Sequence, residues 1–438
     1  MERESRRCGK PYPEGYGCGI QSVPVMVEVK AVIGKNFGDE GKGQTVDFLC
    51  GGKNALVLRH NGGAQSGHTV EEGDFRFVFH QLGSGSFQGC PTYWCRTFLP
   101  DLLKLGEEMT DAEKAGMDIR TVYAHPDCAC VTVYDVLLNS LKEQLRGKDR
   151  HGSCGMGIFE TVLRSREHSF ALRLCDFESR DTHRILERLR HIRDHYAIPR
   201  LTELKNKYPS SFSLPGNAKW AELIGDDNVL YNSAEIMCEN YGKYVTLADW
   251  PHMAAQYDTL IFENGQGLML DWDNEEYAPH LTASHTGLKN VAELLNELEA
   301  GRKHIPYTLE IVYVSRTYVT RHGAGRLDHE CAREAIHPAI TDRTNVYNPW
   351  QDSLRYGRHP AGEDFFLYIR KDLEWLKLLP HRAFSVTLYL THLDETRGKV
   401  LCSDGDIDFE EFRRYCMEES HCISTVLPRP YTGSYDAF

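Results

Sequence analysis

No apolar run in the sequence approaches the ~20 residues that a helix needs to cross a bilayer, so a membrane-spanning protein is not expected. Basic charge is also in short supply. Lys and Arg number 50 against 63 Asp and Glu, a formal net charge of −13. Nucleic-acid scaffolds recruit clustered Lys and Arg to the phosphate backbone, so that class is disfavoured, and solubility in the cytosol accounts for the charge. The stretch from Met1 to Pro13 is charged and lacks the apolar segment of a signal peptide. A cytoplasmic protein is expected. The 14 cysteines include no C-x₂-C…C-x₂-C zinc arrangement. Their tightest groupings, Cys128-Ala129-Cys130 and Cys90 with Cys95, read as reduced, buried or idle thiols. Neither an internal repeat nor a low-complexity tract is present.

What is present is enough apolar sequence for a sizeable core: 41% hydrophobic and 11% aromatic residues in 438. That length fits one large α/β domain with insertions, or two domains. Residues 1–25 lack periodicity and read as an N-terminal extension to a domain spanning 26–438. Buried strands are expected at Val27 to Ile33, Ala55 to Leu58, Thr121 to Tyr123, Thr259 to Phe262, Leu309 to Val314 and Phe384 to Leu390. Between Ser179 and His195 the apolar residues Ile185, Leu186, Leu189 and Ile192 fall at helical spacing. A helical insertion at about 150–250 is therefore expected. The fold class that follows is α/β: a central, mostly parallel sheet flanked by helices, with an inserted helical subdomain.

Two glycine-rich segments follow the first two strands. The first is Gly34-Lys35-Asn36-Phe37-Gly38-Asp39-Glu40-Gly41-Lys42-Gly43. Its glycines let backbone N–H groups approach an anion, and Lys42 adds positive charge. It is not a standard P-loop, which needs Gly five residues before the Gly-Lys pair and Ser or Thr after it. Asn36 and Gly43 hold those places. Asp39 is the obvious substitute for the missing magnesium-binding hydroxyl. The second segment, Arg59 to Thr69, places His68 among glycines at a strand end, where an imidazole can serve a reacting phosphate.

Together these segments resemble the adenylosuccinate synthetase family. The match continues through Val46-Asp47-Phe48-Leu49, Gly62-Gly63, Gly67-His68-Thr69-Val70, Phe262 to Gly267 and Leu270-Asp271-Trp272-Asp273. It extends to Leu281-Thr282-Ala283-Ser284, Arg321 to Gly325 and Leu390 to Asp394. The resemblance implies a P-loop-related fold, a homodimer and an NTP-driven ligase using Mg²⁺. Such a ligase joins L-aspartate to a 6-oxopurine monophosphate through a 6-phosphoryl intermediate. It implies Asp39 as base and metal ligand, with the Gly67 carbonyl as a second ligand, and His68, Lys42 and Gln266 as catalytic groups. Gly38, Glu40, Gly41, Gly43, Gln65, Ser153, Thr282, His392, Asp394 and Gly433 would bind nucleotide.

The sequence departs from that family in four places. Gln65 replaces an asparagine, adding a methylene. The arginine-rich run that holds aspartate is missing; its region reads Asp342 to Gln351, then Leu354 to Arg358. Arg343, Arg355, Arg358 and Arg321 are the candidate carboxylate clamps. His392 stands where a base-reading lysine is expected, although Asp394 remains, so GTP and ATP are both open as donor. Gly152 to Phe159 keeps the hydroxyl of Ser153 but has Cys154 beside it. Arg164 or Arg166 is the candidate for an arginine that crosses a dimer interface.

Phage relatives that act on dGMP typically carry serine at the position of Asp39, so retention of Asp39 favours IMP. The same chemistry on dGMP or GMP, a different amine donor, and a non-catalytic nucleotide-binding regulator are the competing readings.

Overall fold

The computed structural model describes residues 26–147, 152–300, 305–338, 340, 353–379 and 383–429. The expected extension at 1–25, Arg343 and Gly433 lie outside them. Strands are numbered along the chain. The first half contributes β1 (Val27–Gly34), β2 (Ala55–Arg59), β3 (His68–Glu72), β4 (Phe75–Phe79), β5 (Thr92–Trp94), β6 (Val122–Ala124), β7 (Val245–Leu247) and β8 (Thr259–Gly267). The second contributes β9 (Tyr307–Arg316), β10 (Val319–Arg321), β11 (Glu330–Cys331), β12 (Arg355–Gly357), β13 (Phe384–Thr391), β14 (Lys399–Cys402), β15 (Gly405–Asp408) and β16 (Thr425–Arg429).

Nine of these form one sheet in the order β16-β13-β9-β1-β8-β2-β5-β6-β7. Every pairing in it is parallel. A parallel sheet is covered on both faces, which is why β2 is buried at all five positions and β1 is mostly apolar. All six strands expected from the sequence are present. The sheet also contains β5, β7 and β16. The first two have only three residues each, and β16 carries Pro428, so they give little periodic signal.

Helices are numbered likewise: α1 (Lys42–Cys50), α2 (Leu102–Lys114), α3 (Val133–Arg146), α4 (Ile158–Ser165), α5 (Thr182–Ile192), α6 (Ile198–Lys207), α7 (Pro209–Phe212), α8 (Pro215–Gly225) and α9 (Asp227–Tyr244). The last seven all lie between β6 and β7. In α5 the stripe Ile185, Leu189 and Ile192 is buried, and Asp181 caps the helix by accepting from the backbone N–H groups of His183 and Arg184. One hydrophobic cluster packs β1, β8, β9 and β13 against the helix Lys289–Ala300. A second fills the space between α2, α3, α5 and α9.

The order β13-β9-β1-β8-β2 sets five neighbouring strands side by side. Their carboxyl ends release the loops at 392, 317, 35, 268 and 60, which carry most of the expected site. Open α/β sheets bind ligands at that edge.

Candidate active site

A cavity of about 990 Å³ opens beside these strand ends. Its lining includes Asp39, Lys42, Gln65, His68, Gln266 and Thr282, together with Ser153 from the helical side. Residues from four separate stretches of sequence thus meet around one space.

The first wall is the loop between β1 and α1. Gly38, Asp39 and Gly41 have φ of 109°, 62° and 92°. The left-handed region suits glycine but is uncommon for a residue with a side chain. The loop is stabilised from within by Glu40, which is 1% exposed. Its Oε1 accepts from the backbone N–H groups of Asn36 (3.0 Å) and Gly38 (2.9 Å), and its Oε2 accepts from Lys42 Nζ at 2.7 Å. Burial alone raises the Glu40 pKa, but Lys42 and the backbone donors outweigh it and hold the carboxyl below its usual range. Close approach leaves no room for side chains here. A Cβ on Gly34 would stand 2.3 Å from Glu40 Oε2, and one on Gly267 would stand 2.2 Å from the Asn36 carbonyl oxygen.

The second wall centres on His68, the first residue of β3. Its Nδ1 lies 2.5 Å from Glu263 Oε1 at the end of β8 and 3.0 Å from Arg59 Nη1 at the end of β2. A carboxylate carries no proton, so the short contact requires Nδ1–H to donate to Glu263. Glu263 also accepts from the Ser84 backbone N–H (2.9 Å) and the Ser84 hydroxyl (2.5 Å), with Arg59 3.4 Å away as counter-charge. Burial raises the Glu263 pKa, but Arg59 first and His68 second overcome it and bring it down to about 2. The His68 Nε2 is buried without a hydrogen-bond partner. Burial is the largest influence on His68 and lowers its pKa to about 4, against the raising effect of Glu263. An anionic ligand in the cavity acts with Glu263 to favour the imidazolium.

Gln266 is placed by an asparagine pair. Asn61 Nδ2 donates to Asn264 Oδ1 at 2.8 Å, and that oxygen also accepts from the Gln266 backbone N–H at 3.1 Å. Gln65 folds back so that its Oε1 accepts from the Gly63 backbone N–H at 2.7 Å. On the helical side, the Ser153 hydroxyl donates to Asn139 Oδ1 at 3.1 Å. Besides His68 Nε2, further buried polar atoms on cavity-lining residues lack partners among the described residues, including Gln65 Nε2, Thr69 Oγ1, Asn139 Nδ2, Glu160 Oε2 and Arg321 Nε. Buried polar atoms are normally satisfied, so this concentration marks a place where a polar ligand completes the bonding.

The arginines divide differently from the sequence expectation. Arg321 is 1% exposed; it lines the cavity but donates to the carbonyls of Arg326 (2.6 Å) and His280 (3.1 Å). Arg355 is engaged by Glu330 and by the carbonyls of Gly323 and Gly325, and Arg358 by Asp406 and the Cys402 carbonyl. Neither lines the cavity. Arg164 is wholly buried against Asp135 and the carbonyls of Phe170 and Cys130, which holds it inside its own chain. Arg166 is exposed, its guanidinium carbon 5.5 Å from the Trp272 ring centroid.

His392 is buried with Nδ1 2.8 Å from the Thr391 hydroxyl, whereas Asp394 is exposed. Thr391 connects this strand end to the phosphate-type loop by donating to the Glu40 carbonyl at 2.9 Å. Sequence reading gave no individual role to Arg59, Glu263, Arg316 or His322. Glu263 and His322 stood inside quoted motifs, but their partners are remote in sequence.

Comparison with known proteins identifies the family and agrees with the fold. The sequence profile of the family described as Adenylosuccinate synthetase matches residues 31–347. The adenylosuccinate synthetase of Lactobacillus gasseri is 28% identical over 353 residues, covering 76% of this chain and 74% of that protein. That of Tolumonas auensis is 27% identical over 356 residues, covering 76% and 74%. Among solved structures, the fully ligated adenylosuccinate synthetase of Plasmodium falciparum aligns with a TM-score of 0.57 at 19% identity, covering 85% of this chain and 79% of that one. The succinoaminodeoxyadenylate synthetase of cyanophage S-2L, solved with dGMP and dATP, aligns with a TM-score of 0.52 at 14% identity, covering 85% and 90%. With the family profile spanning most of the sequence and the fold shared, this chain belongs to the adenylosuccinate synthetase family of C–N ligases.

Proposed function

We propose that the protein joins L-aspartate to a 6-oxopurine nucleoside monophosphate, IMP in preference to dGMP or GMP, at the expense of GTP or ATP. The observation that carries this reading is the Glu263–His68 pair, whose unpartnered Nε2 belongs to the same cavity as Asp39 and Lys42. In the first step Asp39 takes the N1 proton and O6 attacks the γ-phosphorus, so that the P–O bond to the nucleoside diphosphate breaks. His68, oriented by Glu263, donates through Nε2 to the transferring group, while Lys42 and the loop N–H groups offset its charge. In the second step the aspartate amine attacks C6, the C6–O bond breaks and inorganic phosphate leaves. Gln266 and Thr282 hold the acceptor, with Ser153 at its phosphate end.

The cavity also fits the Mg²⁺ that the family implies. The Asp39 carboxylate and the Gly67 carbonyl are hard oxygen donors lining the same space. When bound, Mg²⁺ neutralises phosphate charge. We further take the helices between β6 and β7 to be an inserted subdomain and Arg166, rather than Arg164, to be the arginine that reaches a partner subunit.

A second reading keeps the ligase chemistry but changes the amine, because Arg355 and Arg358 already have partners away from the cavity. Incubation with IMP, dGMP or GMP, each with aspartate, Mg²⁺ and either GTP or ATP, tests the first reading. A succinyl-purine product with IMP is expected. Phosphate release only with another amino acid favours the second reading, and no turnover in any combination rejects both.

A further inference from the structure

The end of β9 and the segment after it hold the Asp39 loop at three points. Arg316, the last residue of β9, donates from Nε to the Asp39 carbonyl oxygen at 2.6 Å. Arg321, in β10, lies over the Phe37 ring with its guanidinium carbon 4.4 Å from the centroid. The next residue, His322, brings Nε2 to 3.5 Å from Asp39 Oδ2. Both side chains of this last contact line the cavity. Arg321 is itself fixed by the carbonyls of Arg326 and His280. The turn beyond it packs closely, since a Cβ on Gly325 would lie 2.4 Å from Arg321 Nη2. His322 therefore projects from a rigid frame towards a loop that the same frame already grips.

Arg316 and Arg321 fix the main chain of the Asp39 loop, which leaves its carboxylate to the His322 contact. The terminal torsion of an aspartate is broad and roughly two-fold, and this side chain is 23% exposed at the cavity wall. A base that rotates freely presents its oxygen to the substrate only part of the time.

We propose that His322 is a positioning residue for Asp39, holding Oδ2 so that the other carboxylate oxygen meets the purine N1–H. The inference rests on the assignment of Asp39 as the base. The proton passes from N1 to Asp39, and His322 retains its own. At 3.5 Å the contact is long for a hydrogen bond; contacts of this kind tighten when the ligand binds. Nothing in this role gives His322 a direct hold on either nucleotide, so its removal acts on turnover rather than on affinity.

The test compares wild type, His322→Ala and His322→Asn, the last of which keeps an N–H donor. Steady-state kinetics are read with IMP, aspartate, Mg²⁺ and NTP. Calorimetry measures IMP affinity, and thermal melting measures stability. For His322→Ala, kcat is expected to fall by about 10- to 100-fold, the scale of a misplaced catalytic group. KM for both nucleotides and IMP affinity stay within about 3-fold, far below the tenfold that about 1.4 kcal/mol of binding represents. His322→Asn recovers most of kcat.

Unchanged kcat in His322→Ala overturns the proposal. So does a rise in KM at constant kcat, which assigns His322 to ligand contact. If Asn is no better than Ala and both melt early, the role is structural and the proposal fails. A wild-type protein that makes no succinyl-purine fails the assigned reaction instead, which keeps the two failures apart.

Discussion

His68 reaches Glu263 through Nδ1 and presents Nε2 to the cavity, with Arg59 balancing the buried carboxylate. In the proposed reaction, this division of labour between two ring nitrogens lets one imidazole be fixed and reactive together. His68→Ala is expected to lower kcat by about 10²- to 10⁴-fold, the range of a positioned acid–base group. Nucleotide KM should move much less. Steady-state kinetics decide it, and an unaltered kcat removes His68 from the chemistry. The histidine was legible in the sequence because it stands among glycines just beyond a buried strand. Its partner was not. Glu263 is 195 residues away; the pairing of β2 and β8 sets it beside Arg59, and the loop back to β3 brings His68 to both. His322 was hidden for the same reason, since its relation to Asp39 depends on how the turn after β10 folds back.

At the scale of elements, the site is a set of strand ends that approach too closely for side chains. Gly267 ends β8 against the Asp39 loop, where a Cβ would stand 2.2 Å from the Asn36 carbonyl and 2.3 Å from the Gly38 backbone nitrogen. Both neighbours are main chain and cannot turn aside, so Gly267→Ala must displace the loop proposed to cradle phosphate. A loss of activity of at least about 100-fold is expected, the scale of a catalytic group moved by about 1 Å. Gly216→Ala is the control. It sits in helix α8, where an added Cβ would meet nothing within 4 Å, and should stabilise by about 0.4–1 kcal/mol through the unfolded chain. Equal activity in the two variants contradicts the close-approach argument.

The apolar runs of β1, β2, β9 and β13 were legible because central parallel strands are apolar on both faces. Short strands and one sheet edge were harder to read. Three residues in β5 and β7 carry no period, and β16 looks broken by a proline that a sheet edge tolerates.

For the whole molecule, burial of titratable groups sets a dependence on pH. His60 is fully buried beside the site, and neither ring nitrogen has a hydrogen-bond partner. Burial first, and the Arg59 charge second, lower its pKa from 6.5 to about 3. Between those two values the unfolded chain binds a proton there and the folded chain does not. Stability from this position therefore falls as pH falls through that window. His60→Leu removes the effect. Relative to wild type the variant should gain about 1.4 kcal/mol for each pH unit below about 6.5. Urea unfolding at about pH 7 and about pH 5 measures it, and a difference independent of pH contradicts it.

The central claim is that one cavity activates the purine oxygen before an amine displaces it. On that account, loops from four adjacent strand ends, those of β9, β1, β8 and β2, and a facing helical side supply the groups for both steps. The most direct measurement is the fate of that oxygen. With IMP labelled by oxygen-18 at O6, together with aspartate, Mg²⁺ and NTP, mass spectrometry of the released phosphate reads the transfer. The label should appear in inorganic phosphate in step with succinyl-purine formation. Turnover that leaves the phosphate unlabelled contradicts the account.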